Sequence, residues 1–289
     1  MMKKGDFLEE VHILLVDGSN LLFQMFYGMP ARIAGRQGQP IQGTLGFIGA
    51  LLKVIRKLKP THLAVLFDGE TENPRGALDE TYKANREDFS LLPEEETPFS
   101  QLPDIYAALD RMGICHRETT DCEVDDWKAS YALGLGKKHP MTIMSQDSDF
   151  FQLITEKVHV LRYRGENSLL CDPAYIRKKL EIEPSQYVDF KCLTGDHADN
   201  IRGADKVGPK TAAALMGQFG CLQSLLEKPD AITKPSIRKS IQENADRLRL
   251  NEKLIRLEGK CPVPFSLAEM VCTYQGETST QILTELGIR

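Results

Sequence analysis

The sequence predicts an α/β fold with a central, mostly parallel sheet, and three observations predict it. First, VHILLV (Val11–Val16), HLAVLF (His62–Phe67) and MTIMS (Met141–Ser145) are short, almost wholly apolar runs. Runs of that length without polar alternation suit strands buried on both faces of a parallel sheet. Second, stretches of helical spacing lie between them, such as TLGFIGALLKVIRKL (Thr44–Leu58), with Pro60 just past its end. Third, strands and helices alternate along the first half of the chain, the pattern of a parallel sheet covered by helices.

Each apolar run ends at an aspartate. Asp17 follows the first, Asp68 the second, and Asp147 and Asp149 the third. One aspartate after a strand is an ordinary turn residue or helix cap. Three in register point to a site, because open α/β sheets bind ligands at the carboxyl ends of their strands.

The character changes near residue 184. We expect an α/β core over 1–184 and a mostly helical region over 185–289. Residues 70–98 are polar, carry three prolines and have little apolar periodicity. They read as a mobile loop or a solvent-exposed helix pair. No apolar run approaches the ~20 residues that cross a bilayer. The N-terminus lacks a secretory profile, so a cytoplasmic protein is expected. Seven scattered cysteines without CxxC argue against a disulfide framework and a zinc ribbon.

DCEVDD (Asp121–Asp126) places four carboxylates in six residues beside the single tryptophan, Trp127. A helix start favours acids by ~0.3–1 kcal/mol each through the macrodipole. That does not compensate the larger set formed by Asp17, Asp68, Glu123, Asp125, Asp126, Asp147, Asp149, Asp196 and Asp199. Hard divalent cations would. Oxygen ligands without His or Cys select Mg²⁺ or Mn²⁺. So many carboxylates suggest two ions, the arrangement used in phosphoryl displacement by nucleases and phosphatases. The formal charge of −5 taken alone disfavours nucleic-acid binding. Setting those nine acids aside turns it to +4, which admits a phosphodiester substrate.

GADKVGPKTAAALMGQFG (Gly203–Gly220) is a second signal. Gly203 and Gly208 bracket a tight turn, and Lys210 and Thr211 open a helix. Such a loop aims backbone N–H groups at a phosphate, with Lys206 and Lys210 adding charge. It is not a Walker A loop, and an ordinary helix–turn–helix gives the same pattern.

Taken in order, LLVDGSN (Leu14–Asn20), FDG (Phe67–Gly69), TYKANR (Thr81–Arg86), CEVDD (Cys122–Asp126), SQDSDF (Ser145–Phe150), LTGDHADNIRG (Leu193–Gly203) and VGPKTA (Val207–Ala212) resemble the 5′-nuclease (flap endonuclease) family. That family includes the nuclease domain of bacterial DNA polymerase I and phage 5′-exonucleases. The motifs span residues 14 to about 225, and together they are specific. The resemblance implies a PIN-like core, a helical arch over about 70–98 and a helix–hairpin–helix element over about 196–226. It implies a stand-alone, monomeric, Mg²⁺-dependent 5′-3′ exonuclease or flap endonuclease acting on DNA with 5′ ends or flaps, with a functional link to a polymerase.

On the matching positions, Asp17, Asp68 and Glu123 would form one metal site and Asp149, Asp196 and Asp199 the other. Asp125 and Asp147 would lie between, with Asp126 close by. Lys83 and Arg86 would steer or polarise the scissile phosphate, and Tyr82 would stack on an unpaired base or simply stand exposed. Gly203, Lys206, Val207, Gly208, Lys210 and Thr211 would grip duplex backbone, around a K⁺ held by hairpin carbonyls. Relatives carry an upstream arginine that only Arg75 could supply here. A related ribonuclease and a catalytically silent DNA-binding protein remain alternatives. A phosphatase of the Asp-x-Asp type is disfavoured, because Asp17 is followed by Gly18 and Ser19.

Overall fold

The computed structural model describes residues 10–29, 31–69, 75–85, 93, 96–120 and 122–289. Arg86, Asp121 and about half of the expected arch lie outside the described residues.

Six strands form the main sheet: β1 (Ile13–Asp17), β2 (His62–Phe67), β3 (Cys115–Glu118), β4 (Met141–Met144), β5 (Val158–Arg162) and β6 (Leu169–Cys171). Their order is β3-β2-β1-β4-β5-β6. All neighbours pair in parallel except β5 and β6. The sheet reverses direction of growth between β1 and β4, so a crevice opens at their carboxyl ends, where such folds bind ligands.

Alternation along β1 divides the core in two. Leu14 and Val16 face α1 (Gly18–Gly28), α2 (Gln42–Leu58) and α3 (Leu102–Arg111). Ile13 and Leu15 face α4 (Val124–Gly134) and the later helices. This is the two-faced burial that the unbroken apolar runs require. Helix α2 ends where the sequence signals it, with Lys59 left-handed at φ 47° ahead of Pro60.

The later helices are α5 (Pro173–Leu180), α6 (Tyr187–Thr194), α7 (Pro209–Phe219), α8 (Leu222–Glu227), α9 (Pro235–Glu243), α10 (Ala245–Ile255) and α11 (Ser279–Glu285). The expected division at 184 and 185 falls on the turn Pro184–Gln186. It does not divide the core, because α6, α7 and α10 share one apolar cluster with α4 and β1. The end of the chain also returns to the sheet. Leu63 N–H donates to Met270 O at 2.7 Å, Cys272 N–H donates to Thr61 O at 2.9 Å, and Ile282 and Leu283 of α11 join the α2–α3 core.

Asp196 and Asp199 sit on a short hairpin of β7 (Gly195–Asp196) and β8 (Ile201–Arg202). The Asp149 N–H donates to Asp147 Oδ1 at 2.8 Å, folding the backbone into a 3₁₀ turn at Asp149–Leu153. Gly203 is required beside the hairpin, since a Cβ there would lie 2.3 Å from Leu193 O and 2.5 Å from Gly195 N.

Candidate active site

The strand ends place the acids. Asp17 closes β1 and caps α1, accepting from the Asn20 N–H at 3.2 Å. Its Oδ2 accepts from Ser145 Oγ at 2.7 Å, which ties the end of β1 to the end of β4. Ser145 Oγ in turn accepts from the Asp147 N–H at 3.0 Å. Asp68 stands beyond β2 on the exposed rim, its N–H donating to Ser19 Oγ at 2.8 Å. Glu123 is the residue before α4, and Asp125 lies in the first turn of that helix.

Three lysines are threaded among these acids. Lys128 Nζ is 2.9 Å from Asp17 Oδ2 and 3.1 Å from Asp125 Oδ1, with its side chain 0% exposed. Lys83 Nζ is 3.1 Å from Glu123 Oε2. Lys191 pairs with Asp196. Among the described residues no three of the acids form a ready-made cage. The ammoniums stand between them and neutralise part of their repulsion.

The electrostatics follow this arrangement. Crowding by protein, then the charges of Asp125 and Asp17, push the Asp68 carboxyl up to about 6. Burial and Asp125 push Asp147 up to about 6. Burial, then Asp147, Asp196 and Asp199, hold Asp149 well above the usual carboxylate range. Asp125 moves the other way: burial opposes its charge, but Lys128 and Lys83 outweigh it. For Asp196 burial is likewise outweighed, by the hydrogen bond from Lys191. Burial opposes the charge of Lys128, and Asp17 and Asp125 raise it above its ordinary value.

A carboxylate raised on folding binds more protons in the native state than unfolded. Stability then falls as pH rises through the gap between the two values. For Asp147 that gap runs from 3.8 to about 6. In metal-chelated buffer, Asp147→Asn is expected to gain on the wild type in urea-unfolding stability as pH rises from about 4 to above 6. A difference constant across that range would mean Asp147 is not held against its charge.

Asp126 is a correction. Arg75 grips it with two hydrogen bonds, 2.7 Å to Oδ1 and 3.2 Å to Oδ2, and the Glu258 N–H reaches Oδ1 at 2.8 Å. Both its oxygens are engaged by Arg75 and the Glu258 N–H, so neither is left open toward a metal ion. Arg75 also reaches Glu123 Oε2 at 2.9 Å, and it is buried. The upstream arginine therefore braces the acids from behind and is not presented to solvent.

Tyr82 is a second correction. It is buried, its ring lies 4.8 Å from Lys83 Nζ, and its hydroxyl donates to Asp199 Oδ2 at 3.5 Å. A ring so placed neither stacks on a base nor stands exposed. Val207 is also buried, so only its backbone could meet a ligand. Gly203 abuts the hairpin, Lys206 is exposed and left-handed at φ 64°, and Gly208, Lys210 and Thr211 start α7. A groove of about 380 Å³ runs between the hairpin and the Gly203–Lys206 turn.

The segment that carries Lys83 is stitched to the Asp196–Asp199 hairpin. Lys83 N–H donates to Asp199 O at 3.0 Å, Asn200 Nδ2 to Thr81 O at 2.8 Å, and Asn85 Nδ2 to His197 O at 3.0 Å.

Lys128 and Lys191 escape sequence reasoning. Lys128 had one signal. It lies four residues after Val124 and three before Tyr131, both buried, so helical spacing puts it on the inner stripe. Lys191 gave none, since its partner lies beyond the end of its helix.

Whether the residues suit divalent ions can be tested on two atoms. Glu123 Oε1 and Asp149 Oδ1 are buried with no hydrogen-bond partner among the described residues. Buried polar atoms are seldom left so. One belongs to each of the two expected ion sites, and the donors are all oxygen, so the set fits hard divalent ions.

Comparison with known proteins bears on this geometry. The family model described as 5′-3′ exonuclease, N-terminal resolvase-like domain, matches residues 12–181. The model described as 5′-3′ exonuclease, C-terminal SAM fold, matches residues 182–278. The chain is 35% identical over 278 residues to DNA polymerase I of Rhizobium leguminosarum, covering 93% of this chain and 26% of that protein. It is 30% identical over 279 residues to DNA polymerase I of Bacillus subtilis, covering 95% of this chain and 31% of that protein. It thus spans between about a quarter and a third of these relatives.

In fold it is similar to T5 5′-exonuclease with zinc bound, at TM-score 0.71 and 20% identity over 96% of this chain and 97% of that one. It is also similar to the catalytic core of Rad2 in complex with DNA substrate, at TM-score 0.60 and 17% identity over 96% and 93% of the two chains. With the two family models matching in order from residue 12 to residue 278, the chain belongs to the 5′-3′ exonuclease family.

Proposed function

We propose that this chain hydrolyses DNA phosphodiesters near 5′ ends, as a 5′-3′ exonuclease and flap endonuclease, with two Mg²⁺ or Mn²⁺ ions. One observation carries the reading. Carboxylates from three strand ends, α4 and the β7–β8 hairpin meet at the sheet's switch point, with orphaned buried oxygens on Glu123 and Asp149. Asp17, Asp68 and Glu123 would hold one ion and Asp149, Asp196 and Asp199 the other, with Asp125 and Asp147 between. Held there, such ions would lower the pKa of a bound water and offset charge on the phosphate.

The chain's own groups then position the substrate. Lys83 stands beside Glu123, where an ammonium can meet the scissile phosphate. Arg86, three residues further along the sequence, would add to it. The first turn of α7 has no side-chain cap, so the Lys210 and Thr211 N–H groups suit a duplex phosphate. Lys206 adds charge there, and the hairpin carbonyls would hold a K⁺. A monomer with a functional link to a polymerase completes the reading. Among the described residues no helix is long and apolar enough to cross a membrane, consistent with work in the cytoplasm. A flapped DNA substrate, cut with Mg²⁺ and intact in excess EDTA, is the expected result. Turnover in EDTA would sink the reading.

Gly208 tests the duplex contact. A Cβ there meets nothing within 4 Å, and φ −89° with ψ 178° suits a β-branched residue. Gly208→Val should therefore leave thermal stability within about 0.5 kcal/mol. The added bulk should weaken duplex binding about tenfold, or roughly 1.4 kcal/mol, and lower its salt dependence. Normal duplex affinity in this variant would remove α7 from the DNA contact.

A further inference from the structure

Lys128 has no place in the proposed reaction, yet it occupies the centre of the acid cluster. Its side chain is 0% exposed, and its Nζ lies 2.9 Å from Asp17 Oδ2 and 3.1 Å from Asp125 Oδ1. On its remaining side the Phe150 ring lies 4.8 Å from Nζ. The backbone of α4 fixes its approach, since Asp125 is one turn away on the same helix. Asp17 already accepts three hydrogen bonds in this state: Oδ1 from Asn20, and Oδ2 from Ser145 and Lys128. A lysine buried this completely is rare unless paired. Here both of its ion partners are residues expected at the metal ions.

We propose that Lys128 is a built-in cation of the active site, which holds Asp17 and Asp125 together before a divalent ion arrives and competes with that ion for them. The inference rests on the metal reading above and deepens it. Two consequences follow from the charge. Without metal, the ammonium offsets repulsion between carboxylates that would otherwise face one another in a poorly solvated crevice. With metal, a like charge a few ångströms from the ion weakens its binding. Glu123 Oε1 and Asp149 Oδ1, buried with no hydrogen-bond partner among the described residues, are not the atoms that Lys128 pairs with. Those two oxygens could take an ion while Lys128 still holds Asp17 and Asp125. Lys128 is thus a positioning residue that sets metal affinity, and it does not touch the scissile phosphate.

The test uses Lys128→Met, similar in length and uncharged, with Mn²⁺ alone as the probe. Calorimetry and Mn²⁺ electron paramagnetic resonance would measure binding, and thermal unfolding would be followed in EDTA and in Mn²⁺. The expected result is a dissociation constant for Mn²⁺ lowered at least about tenfold. Tm in EDTA should drop, and Mn²⁺ should restore it more in the variant than in the wild type. If Lys128→Met does not fold, Lys128→Gln keeps a hydrogen-bond donor without the charge, and the same tightening is expected. Wild-type protein that binds no Mn²⁺ would overturn the metal reading itself. Wild-type binding that Lys128→Met and Lys128→Gln leave unchanged or weaken would overturn this inference alone.

Discussion

Asp149→Asn is expected to abolish cleavage of a 5′-flapped DNA while leaving the affinity for that DNA unchanged or tighter. Asp149 is half-buried at the start of the 3₁₀ turn after β4, and its Oδ1 is buried with no hydrogen-bond partner among the described residues. Asp147, Asp196 and Asp199 all add to its repulsion. An amide in its place removes an anionic ligand where a divalent ion would be held. The loss should exceed the 10²–10³ in rate that one neutral hydrogen-bond donor typically contributes. The same substitution removes a charge that repels the phosphate backbone, so binding measured in EDTA should hold or improve. The carboxyl is held well above its ordinary value, so the metal-free variant should also be no less stable than the wild type at neutral pH. Single-turnover cleavage, equilibrium binding in EDTA and thermal unfolding separate these outcomes. A variant that cuts within tenfold of the wild type would remove Asp149 from the reaction.

What the sequence shows of this site, and what it hides, divides along physical lines. β1, β2 and β4 are central and buried on both faces, so they are written as unbroken apolar runs, and the acids that follow them are easy to find. β3 is an edge strand reading Cys115–Glu118, polar and half-exposed, and β6 has three residues, two of them exposed. Neither carries enough apolar pattern to stand out from a loop. The acids of DCEVDD are a different case. Glu123, Asp125 and Asp126 look alike at a helix start, and only tertiary placement gives Asp126 the two-pronged grip of Arg75 while Glu123 shares one nitrogen of that guanidinium. Tyr82 misleads because its neighbours are polar, while the Asp196–Asp199 hairpin that covers it lies more than a hundred residues away. The counter-charges Lys128 and Lys191 are the least legible part. A lysine in a helix usually faces water, and its burial depends on what the rest of the fold brings to it.

Lys83→Ala should lower single-turnover cleavage of a flap by about 10²–10³, roughly 3–4 kcal/mol in the barrier, with binding changed only a few-fold. From sequence the stretch around Lys83 reads as a mobile loop or a solvent-exposed helix pair, but residues 75–85 are docked on the Asp196–Asp199 hairpin. Lys83 is left-handed at φ 58°, and its backbone is held by Asp199. Its ammonium is 3.1 Å from Glu123 Oε2 and largely covered. Alanine can keep that backbone only at the cost that lysine already bears, so the variant loses the ammonium and little else. The ammonium cannot serve Glu123 and a phosphate fully at once. An ion taken up by Glu123 would release Lys83 toward the substrate, where charge builds in the transition state. A group used in this way acts on the transition state more than on the bound substrate, so its removal lowers turnover at saturating DNA more than affinity. The coupling also predicts a second, smaller signature. Without Lys83 the Glu123 carboxylate loses a cationic neighbour that competes for it, so Mn²⁺ should bind Lys83→Ala at least as tightly as the wild type. A variant that binds DNA far more weakly yet cleaves at the normal rate once saturated would make Lys83 an electrostatic tether. An unchanged rate at saturating DNA would remove it from the reaction.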